Sequence, residues 1–219
     1  MRFIDDKSLE RLGFRKLLTK VETLSPYGKV KLKKLKNYLK GEEQLLEKEF
    51  MKMEIFMNFS KENKNLIKDI EGIIHRLKDI KTVVNNCLKE NILDDVDLFE
   101  IKVQALLMEE LNILLKKLPV ELKNFNLESM EEMIDALDPD KDRLPTFYVY
   151  DSYSAALKMV RDKKKDIEKR IFAAKSFEEV SQLKEERLKI LVEEEREELE
   201  VRRQLTSILL KKAEGFLEN

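Results

Sequence analysis

The sequence predicts an all-α fold, with a helical bundle core followed by a long protruding antiparallel helix pair. Charged residues make up 40% of the 219 residues and hydrophobic residues 42%, a mixture typical of long helices with large solvated faces. The chain has only 5 Gly and 4 Pro, too few for the turns of a sheet protein or an elaborate loop site. Apolar residues also recur at helical spacing between recognisable start and stop signals.

Such signals divide the first part of the sequence into helices. Ser25 places a capping hydroxyl before Pro26, which suits a first helical turn, and Gly41 should end or bend that helix. Ser60 can cap a later helix, and the acidic residues 97 and 100 have the spacing of a capping box before another. We therefore expect a series of helices that pack as a bundle.

One segment, residues 138–150, departs from the helical pattern. Its aromatic and β-branched run at residues 147–150 favours an extended backbone, and Pro145 blocks a helix at its start. Asp151 then offers a cap for a helix from about Ser152 to Ala174.

The last predicted helix is long. Residues 176–179, Ser-Phe-Glu-Glu, form a capping box, and nothing further interrupts a helix before Gly215. About 40 residues at 1.5 Å per residue make a rod of roughly 60 Å. The middle, residues 193–200, has almost no apolar face, and an apolar face returns beyond it. A helix with a solvated middle and apolar ends predicts a lever between two packed bodies.

These elements predict two domains, a helical core over residues 1–151 and a lever hairpin over residues 152–219. The formal net charge of −1 lacks the basic excess that is usual for a dedicated nucleic-acid binder. The single cysteine, Cys87, excludes an intramolecular disulfide framework and fits a reducing compartment. Because the N-terminus is acidic and no run approaches about 20 apolar residues, we expect a soluble cytoplasmic protein without a membrane partner.

Alternating acids at Asp138, Asp140 and Asp142 are similar to the start of a calcium-binding loop. Such a loop needs Gly at its sixth position and Glu at its twelfth, and these positions hold Arg143 and Val149. We interpret the three acids as a solvated acidic turn and predict no metal site.

No residue is predicted to be catalytic or to bind a cofactor. His75, the only histidine, has no recognisable orienting partner, and we expect a partly buried structural residue. Cys87 is expected to be a small core residue. Gly28 and Lys29 are not part of a phosphate-binding loop, because Val30 stands where that motif needs Ser or Thr. The chain is therefore predicted not to be an enzyme.

Two clusters are open to a binding interpretation. Lys31, Lys34 and Lys36 belong to a lysine run without an intervening acid, which is either a solvated face or a contact for nucleic acid or an acidic partner. The methionines and phenylalanines of residues 50–59 are either core or a surface for a partner helix, and their helical spacing favours core.

Several short stretches, taken in order, match the motifs of one protein family. They include residues 12–18 (Leu-Gly-Phe-Arg-Lys-Leu-Leu), residues 25–29 (Ser-Pro-Tyr-Gly-Lys) and residues 76–80 (Arg-Leu-Lys-Asp-Ile). Later come Leu-Asp-Pro at 137–139, the segment 151–161 with Asp, Tyr-Ser, Leu and Arg, and a glutamate-rich run that ends in Leu-Thr at 205–206. In this order the stretches resemble the helical core and lever region of the MutS family of DNA mismatch-repair and related ATPases.

The resemblance implies that paired lever helices couple the nucleotide state of a C-terminal ATPase domain to DNA or partner engagement. ATP and Mg²⁺ are then expected only in that domain, beyond residue 219, which would also provide a homodimer contact. Motifs of the ATPase, clamp and mismatch-reading domains are absent from these residues. The expected structural transmitters are Ser176 and Glu179 at the lever turn, with Leu205, Ile208 and Leu209 towards the ATPase domain.

Two other functions fit the sequence. A stand-alone helical scaffold or adaptor would bind a partner protein through its exposed helix ends, independently of nucleotide. A weak DNA or RNA binder would act through the lysine run at residues 29–40, with an affinity that falls steeply as salt rises.

Overall fold

The structure, a computed structural model, describes residues 11, 13–34, 38–125 and 127–218. Within these ranges the regular structure is helical and no β-strand occurs, which confirms the predicted all-α class. The α-helices are α1 Phe14–Leu18, α2 Pro26–Lys33, α3 Glu43–Glu62, α4 Lys64–Arg76, α5 Lys81–Leu88, α6 Asp95–Leu115, α7 Glu131–Leu137, α8 Ala155–Ala173 and α9 Phe177–Glu218. Among the described residues, no helix combines the length and the apolar character that crossing a membrane requires.

Contacts divide the chain into two compact units. Unit 1 consists of Met1–Asp79 and Leu107–Glu128, and unit 2 of Ile80–Leu106 and Ser129–Asn219. The predicted boundary between residues 151 and 152 stays a prediction.

In unit 1, local signals explain how α2 begins but not how α4 begins. The Ser25 hydroxyl oxygen accepts a hydrogen bond from the Gly28 N–H at 3.0 Å, as expected for an N-cap. Ser60 does not cap a helix, because its hydroxyl donates to the Met57 carbonyl within α3. Asn63 separates α3 from α4, and α4 contributes buried Ile70 and Ile73.

The prediction that the methionines and phenylalanines of residues 50–59 form core is wrong. Phe50, Met51 and Met53 are 58%, 61% and 58% exposed, and no residue of α3 is buried. Among the apolar residues of α3, Leu46, Ile55 and Phe59 are half-buried, so Phe59 is the one member of the predicted set that is not exposed. Helical spacing identified an apolar helix, but it did not show which of its apolar residues pack within the chain.

Unit 2 holds the larger described core. It is formed by side chains from α5, α6, α7, α8 and α9 together with Leu93 and Val149 from the connecting segments. Its buried members are Val83, Cys87, Leu93, Leu98, Ile101, Leu137, Val149, Leu157, Val201, Leu205 and Leu209. Cys87 is 3% exposed, as predicted for a core residue, and burial raises the pKa of its thiol. The capping box at residues 97 and 100 is wrong, because α6 begins at Asp95 and the Asp94 carboxylate accepts from the Asp97 N–H at 2.8 Å.

Helices α8 and α9 form a hairpin in unit 2. Asp151 does not cap α8, since it lies in a 3₁₀ turn, Asp151–Tyr153; the Ser154 hydroxyl accepts from the Leu157 N–H instead. At the start of α9 the predicted cap is confirmed, because the Ser176 hydroxyl accepts from the Glu179 N–H at 3.2 Å.

Helix α9 spans 42 residues, or about 63 Å at 1.5 Å per residue, and continues past the predicted end at Gly215. The two helices run antiparallel, because Arg161 pairs with Glu194 whereas Glu168, later in α8, pairs with the earlier Arg187.

Candidate functional site

A buried ion pair lies at the centre of unit 2. The Lys102 ammonium donates to the Asp138 carboxylate at 2.9 Å, and their side chains are 0% and 1% exposed. The same ammonium lies 3.2 Å from the hydroxyl oxygen of Tyr150, which is also buried. A buried charge is tolerated only when it is paired and hydrogen-bonded, and this arrangement meets both conditions.

Burial and pairing act in opposite directions on the two charged groups. Burial disfavours the charged ammonium, but hydrogen bonds with Asp138 and Tyr150 outweigh it and raise the pKa of Lys102. Burial likewise disfavours the carboxylate, yet hydrogen bonds from Lys102 and the Arg143 N–H lower the pKa of Asp138. Both groups are therefore charged near neutral pH.

Asp138 also holds the loop that follows it. Its second carboxylate oxygen accepts from the Arg143 N–H at 2.8 Å, and Arg143 has a φ of 54°. The interpretation of Asp138 as part of a solvated acidic turn is therefore wrong, since only Asp140 and Asp142 of the three acids are exposed. The physical reason is Lys102, which lies 36 residues earlier and draws one acid inwards.

The second cluster is named the charged seam and consists of Arg161 and Lys164 on α8 with Glu194 and Glu198 on α9. The Arg161 guanidinium donates to Glu198 at 2.7 Å and to Glu194 at 3.2 Å. It also donates to the Asp151 carboxylate and, at 2.7 Å, to the Val149 carbonyl. Lys164 donates to Glu194 at 2.7 Å.

The charged seam is mostly withdrawn from water. The Arg161 side chain is 18% exposed and that of Glu194 only 10%. Burial opposes the charge of Arg161, but its hydrogen bonds with Asp151 and Glu198 raise the guanidinium pKa above its usual value. The prediction of a solvated middle for the long helix is therefore wrong in part, because residues 194 and 198 face α8 rather than water.

Apolar contacts lie on both sides of the charged seam. Val160, Ile167, Leu183 and Ile190 form one buried cluster, which lies towards the turn except for Val160, the residue directly before Arg161. At the other end, Leu157, Val201, Leu205 and Leu209 belong to the unit 2 core. The hairpin is thus apolar at its two ends and ionic between them.

A shallow pocket of about 600 Å³ opens beside Arg161. Its lining consists of Asp140, Tyr148, Tyr150, Asp151, Ser152, Lys158, Arg161 and Lys165. The carboxylate of Asp151 is paired with Arg161, and that of Asp140 accepts from the Ser152 hydroxyl at 3.0 Å. Both carboxylates of the pocket are thus engaged by neighbouring side chains of the same unit.

The lysines predicted from the sequence lie elsewhere. Lys31, in α2, and Lys34, directly after it, belong to unit 1 and are exposed, and Lys36 lies outside the described residues. His75 is exposed rather than partly buried, and lines a pocket of about 590 Å³ with Leu18, Lys29 and Lys33 among others. Its position near the end of α4 leaves its ring outside the packed side of that helix.

The expected transmitters occupy two different environments. Ser176 caps α9 and Glu179 is exposed at the turn. Leu205 and Leu209 are 3% and 2% exposed within the unit 2 core, so they do not face outwards, whereas Ile208 is 41% exposed. The apolar residues of α9 beyond its polar middle therefore pack largely against other residues of the same chain.

Sequence reasoning missed Lys102 and the pairing role of Asp138. The available signal was a single lysine between Ile101 and Val103 in the apolar run of α6. A long-chain cation surrounded by apolar residues indicates a buried partner of opposite charge.

Comparison with protein-family models, with curated proteins and with solved structures finds no match to this chain.

Proposed function

We propose that this chain is the non-catalytic core and lever region of a MutS-like DNA repair ATPase. In this proposal the hairpin couples the nucleotide state of a C-terminal ATPase domain to DNA or partner engagement. The observation that carries the proposal is the hairpin itself, in which a helix of 42 residues is held along α8 by apolar clusters and by the charged seam.

The segment that carries the resemblance supports this proposal. Asp138 pairs with Lys102, Ser154 caps α8, Leu157 is 0% exposed, and Arg161 is the centre of the charged seam. These four residues belong to the stretch that the resemblance compares with the start of a lever helix. Each of them has a structural role at the base of α8.

A mechanical role also suits the energetics of the hairpin. A transmitting element must move as one body, so sliding of its two helices along each other has to be unfavourable. Moving Glu194 away from Arg161 and Lys164 would leave a nearly buried carboxylate unpaired, which costs about 3–5 kcal/mol.

We assign the DNA or acidic-partner contact to the lysine run. Within the described residues neither Lys31 nor Lys34 has an ion pair, and α2 contains no acid. Changing both to Glu should weaken binding to a DNA duplex and reduce the salt dependence of that binding. An unchanged salt dependence would exclude these two lysines as the contact.

The proposal is tested first by the coding frame and then by coupling. A frame that continues past residue 219 into Gly-x-x-x-x-Gly-Lys-Ser/Thr supports an ATPase, and a stop codon there refutes it. In the full-length protein, Arg161→Met should lower the ratio of DNA-stimulated to basal ATP turnover. Lys163→Met is the matched control, since Lys163 is an exposed α8 residue whose distance to Glu193 is 3.8 Å. Equal ratios in both variants would refute coupling through the charged seam.

A second candidate function is a helical adaptor that binds a partner at the hairpin turn. Phe172 and Phe177 flank this turn and are 95% and 88% exposed, which is unusual for large aromatic side chains. An adaptor would bind its partner equally well with and without ATP. Binding that survives Phe172→Ser together with Phe177→Ser would exclude the turn as the contact.

A further inference from the structure

The shallow pocket beside Arg161 has an exposed aromatic ring with a rigid backing. Tyr148 is 55% exposed, and its ring packs against that of Tyr150 with a centroid distance of 4.0 Å and an interplanar angle of 32°. Tyr150 is itself 1% exposed, and its hydroxyl oxygen lies 3.2 Å from the Lys102 ammonium. Tyr148 therefore rests on a buried ring while more than half of its side chain stays open to solvent. An exposed ring on such a support is suited to stacking on a planar ligand.

Two ammonium groups of the same pocket are available to an anion. Lys158 and Lys165 lie three residues before and four residues after Arg161, so the three side chains share one face of α8. Lys158 is exposed and has no ion pair among the described residues, and Lys165 is 63% exposed with a contact of 3.6 Å to the exposed Asp162. Seven residues span about 10 Å along the helix, and flexible lysine stems allow both ammonium groups to approach one phosphate.

The other charged groups of the pocket are balanced within unit 2 or only partly used. The Arg161 guanidinium pairs with Asp151 and with the glutamates of the charged seam, so it adds no free charge. Asp140 accepts from the Ser152 hydroxyl through Oδ1, and its other carboxylate oxygen has no partner among the described residues. The pocket thus offers a ring face, two ammonium donors and one carboxylate acceptor.

These groups together select the chemistry of the occupant. A simple anion would leave Tyr148 and Asp140 unused, and a neutral aromatic molecule would leave both lysines unused. A nucleotide has a planar base for the ring, a phosphate for the ammonium groups, and amino or ribose hydroxyl groups that donate to a carboxylate. The volume of about 600 Å³ lies within the range of small-ligand sites, about 300–1,000 Å³.

We propose that this pocket binds a nucleotide, with the base stacked on Tyr148 and the phosphate held by Lys158 and Lys165. The nucleotide is either free or one unit of a single strand, because the recognised chemistry is the same. The inference is independent of the proposed lever function, in which ATP belongs to a domain beyond residue 219.

Titration of the 219-residue chain with adenosine monophosphate, followed by chemical-shift changes in ¹H–¹⁵N spectra, tests the site. Because the pocket is shallow and few groups reach the ligand, we expect a dissociation constant of about 10⁻⁴ to 10⁻³ M at low salt. Adenosine, which lacks the phosphate, should bind at least about fivefold more weakly. No shift at about 10 mM adenosine monophosphate, or equal affinities for the two ligands, would overturn the proposal.

Variants of the pocket test the two halves of the ligand separately. Tyr148→Leu should weaken binding of adenosine monophosphate at least about fivefold, the lower end for one stacked base. Lys158→Gln with Lys165→Gln should weaken it by at least about the same factor, and both positions are exposed, so folding is spared. Lys163→Gln with Lys189→Gln is the matched control, since it removes two charges from exposed positions outside the pocket and should stay within about threefold of the wild type. Equal weakening in both lysine pairs, or binding that Tyr148→Leu leaves unchanged, would refute the assignment.

A fluorescein-labelled oligoadenylate of about 12 nucleotides distinguishes the two sources of the nucleotide. If the pocket takes one unit of a single strand, fluorescence anisotropy should show binding at least about 10-fold tighter than that of adenosine monophosphate, because phosphates outside the pocket add contacts. Tyr148→Leu should then weaken the binding of the strand as well. Binding that is no tighter, or that is insensitive to Tyr148→Leu, assigns the pocket to a free nucleotide.

Discussion

Replacing Lys102 by Met should destabilise unit 2 more than any other single charge removal in it. Met has nearly the volume of the lysine stem, so the substitution removes the ammonium without leaving a large cavity. The Asp138 carboxylate, 1% exposed, would keep the hydrogen bond from the Arg143 N–H but lose its only ion pair shorter than 3 Å among the described residues.

The size of the effect follows from that burial. Removing one partner of a buried pair leaves an uncompensated charge, which typically costs about 3–5 kcal/mol. For a chain of 150–250 residues, 1 kcal/mol shifts the melting temperature by about 2–4 °C, so we expect a fall of about 6–20 °C. In Lys102→Met, the pKa of Asp138 should also rise, because its main charged hydrogen-bond donor is gone.

Thermal unfolding followed by circular dichroism at 222 nm measures this loss. A second substitution, Asp138→Asn in the Lys102→Met background, removes the stranded charge and should recover at least half of it. Lys163→Met serves as a control, because the Lys163 side chain is 55% exposed and its pairing with Glu193 is worth little. A Lys102→Met shift no larger than that of the control, or a double variant no more stable than the single one, would refute the reasoning.

Three further predictions concern Asp138, Tyr153 and Cys87 of unit 2. The folded state lowers the pKa of Asp138, so the contribution of its carboxylate to stability is present above about pH 4 and is lost as pH falls through the lowered value. Urea titrations between about pH 2 and pH 6 should therefore show a shallower loss of stability with falling pH for Asp138→Asn than for the wild type. The Tyr153 hydroxyl is buried without a hydrogen-bond partner among the described residues. Tyr153→Phe should therefore leave the melting temperature unchanged or raise it by an amount equivalent to about 1 kcal/mol. A clear fall in the melting temperature would show that the hydroxyl has a partner. The Cys87 thiol is buried and its pKa is raised, so a thiol reagent at about pH 8 should react at least about 100-fold more slowly in the native chain than in urea, and equal rates would contradict its burial.

Short-range signals in the sequence predicted the fold class and some of the helix ends. Ser25 and Ser176 cap helices as expected, because a cap needs only a hydroxyl and an N–H three residues later. The cap predicted at Ser60 is not formed. Ser60 lies inside a helix, where a serine hydroxyl donates to a carbonyl of the preceding turn. Local chemistry therefore identifies candidate caps, and the surrounding chain decides which of them are used.

Contacts distant in sequence explain most of the remaining errors. Lys102 and Asp138 are 36 residues apart, and no local pattern links them. The prediction that residues 50–59 of α3 form core failed for a different reason. Hydrophobic periodicity shows that a helix has apolar residues on a face, but it does not show whether that face packs within the chain. In both cases the missing information was the identity of the neighbouring element.

The polar middle of α9 is the part of the hairpin that fixes its register. Inward positions of α9 recur with coiled-coil spacing through Leu183, Ile190 and Val201, and a helix held by such residues alone could slide by seven residues and meet an equivalent apolar surface. Glu194 occupies one of these inward positions, and sliding would separate it from Arg161 and leave its carboxylate, 10% exposed, without a cation. The apolar clusters therefore contribute attraction between α8 and α9, while the charged seam opposes a seven-residue shift, which would separate Glu194 from Arg161 and Lys164. A run of glutamates that looks like a solvated spacer in the sequence thus includes two residues, Glu194 and Glu198, that pair with α8.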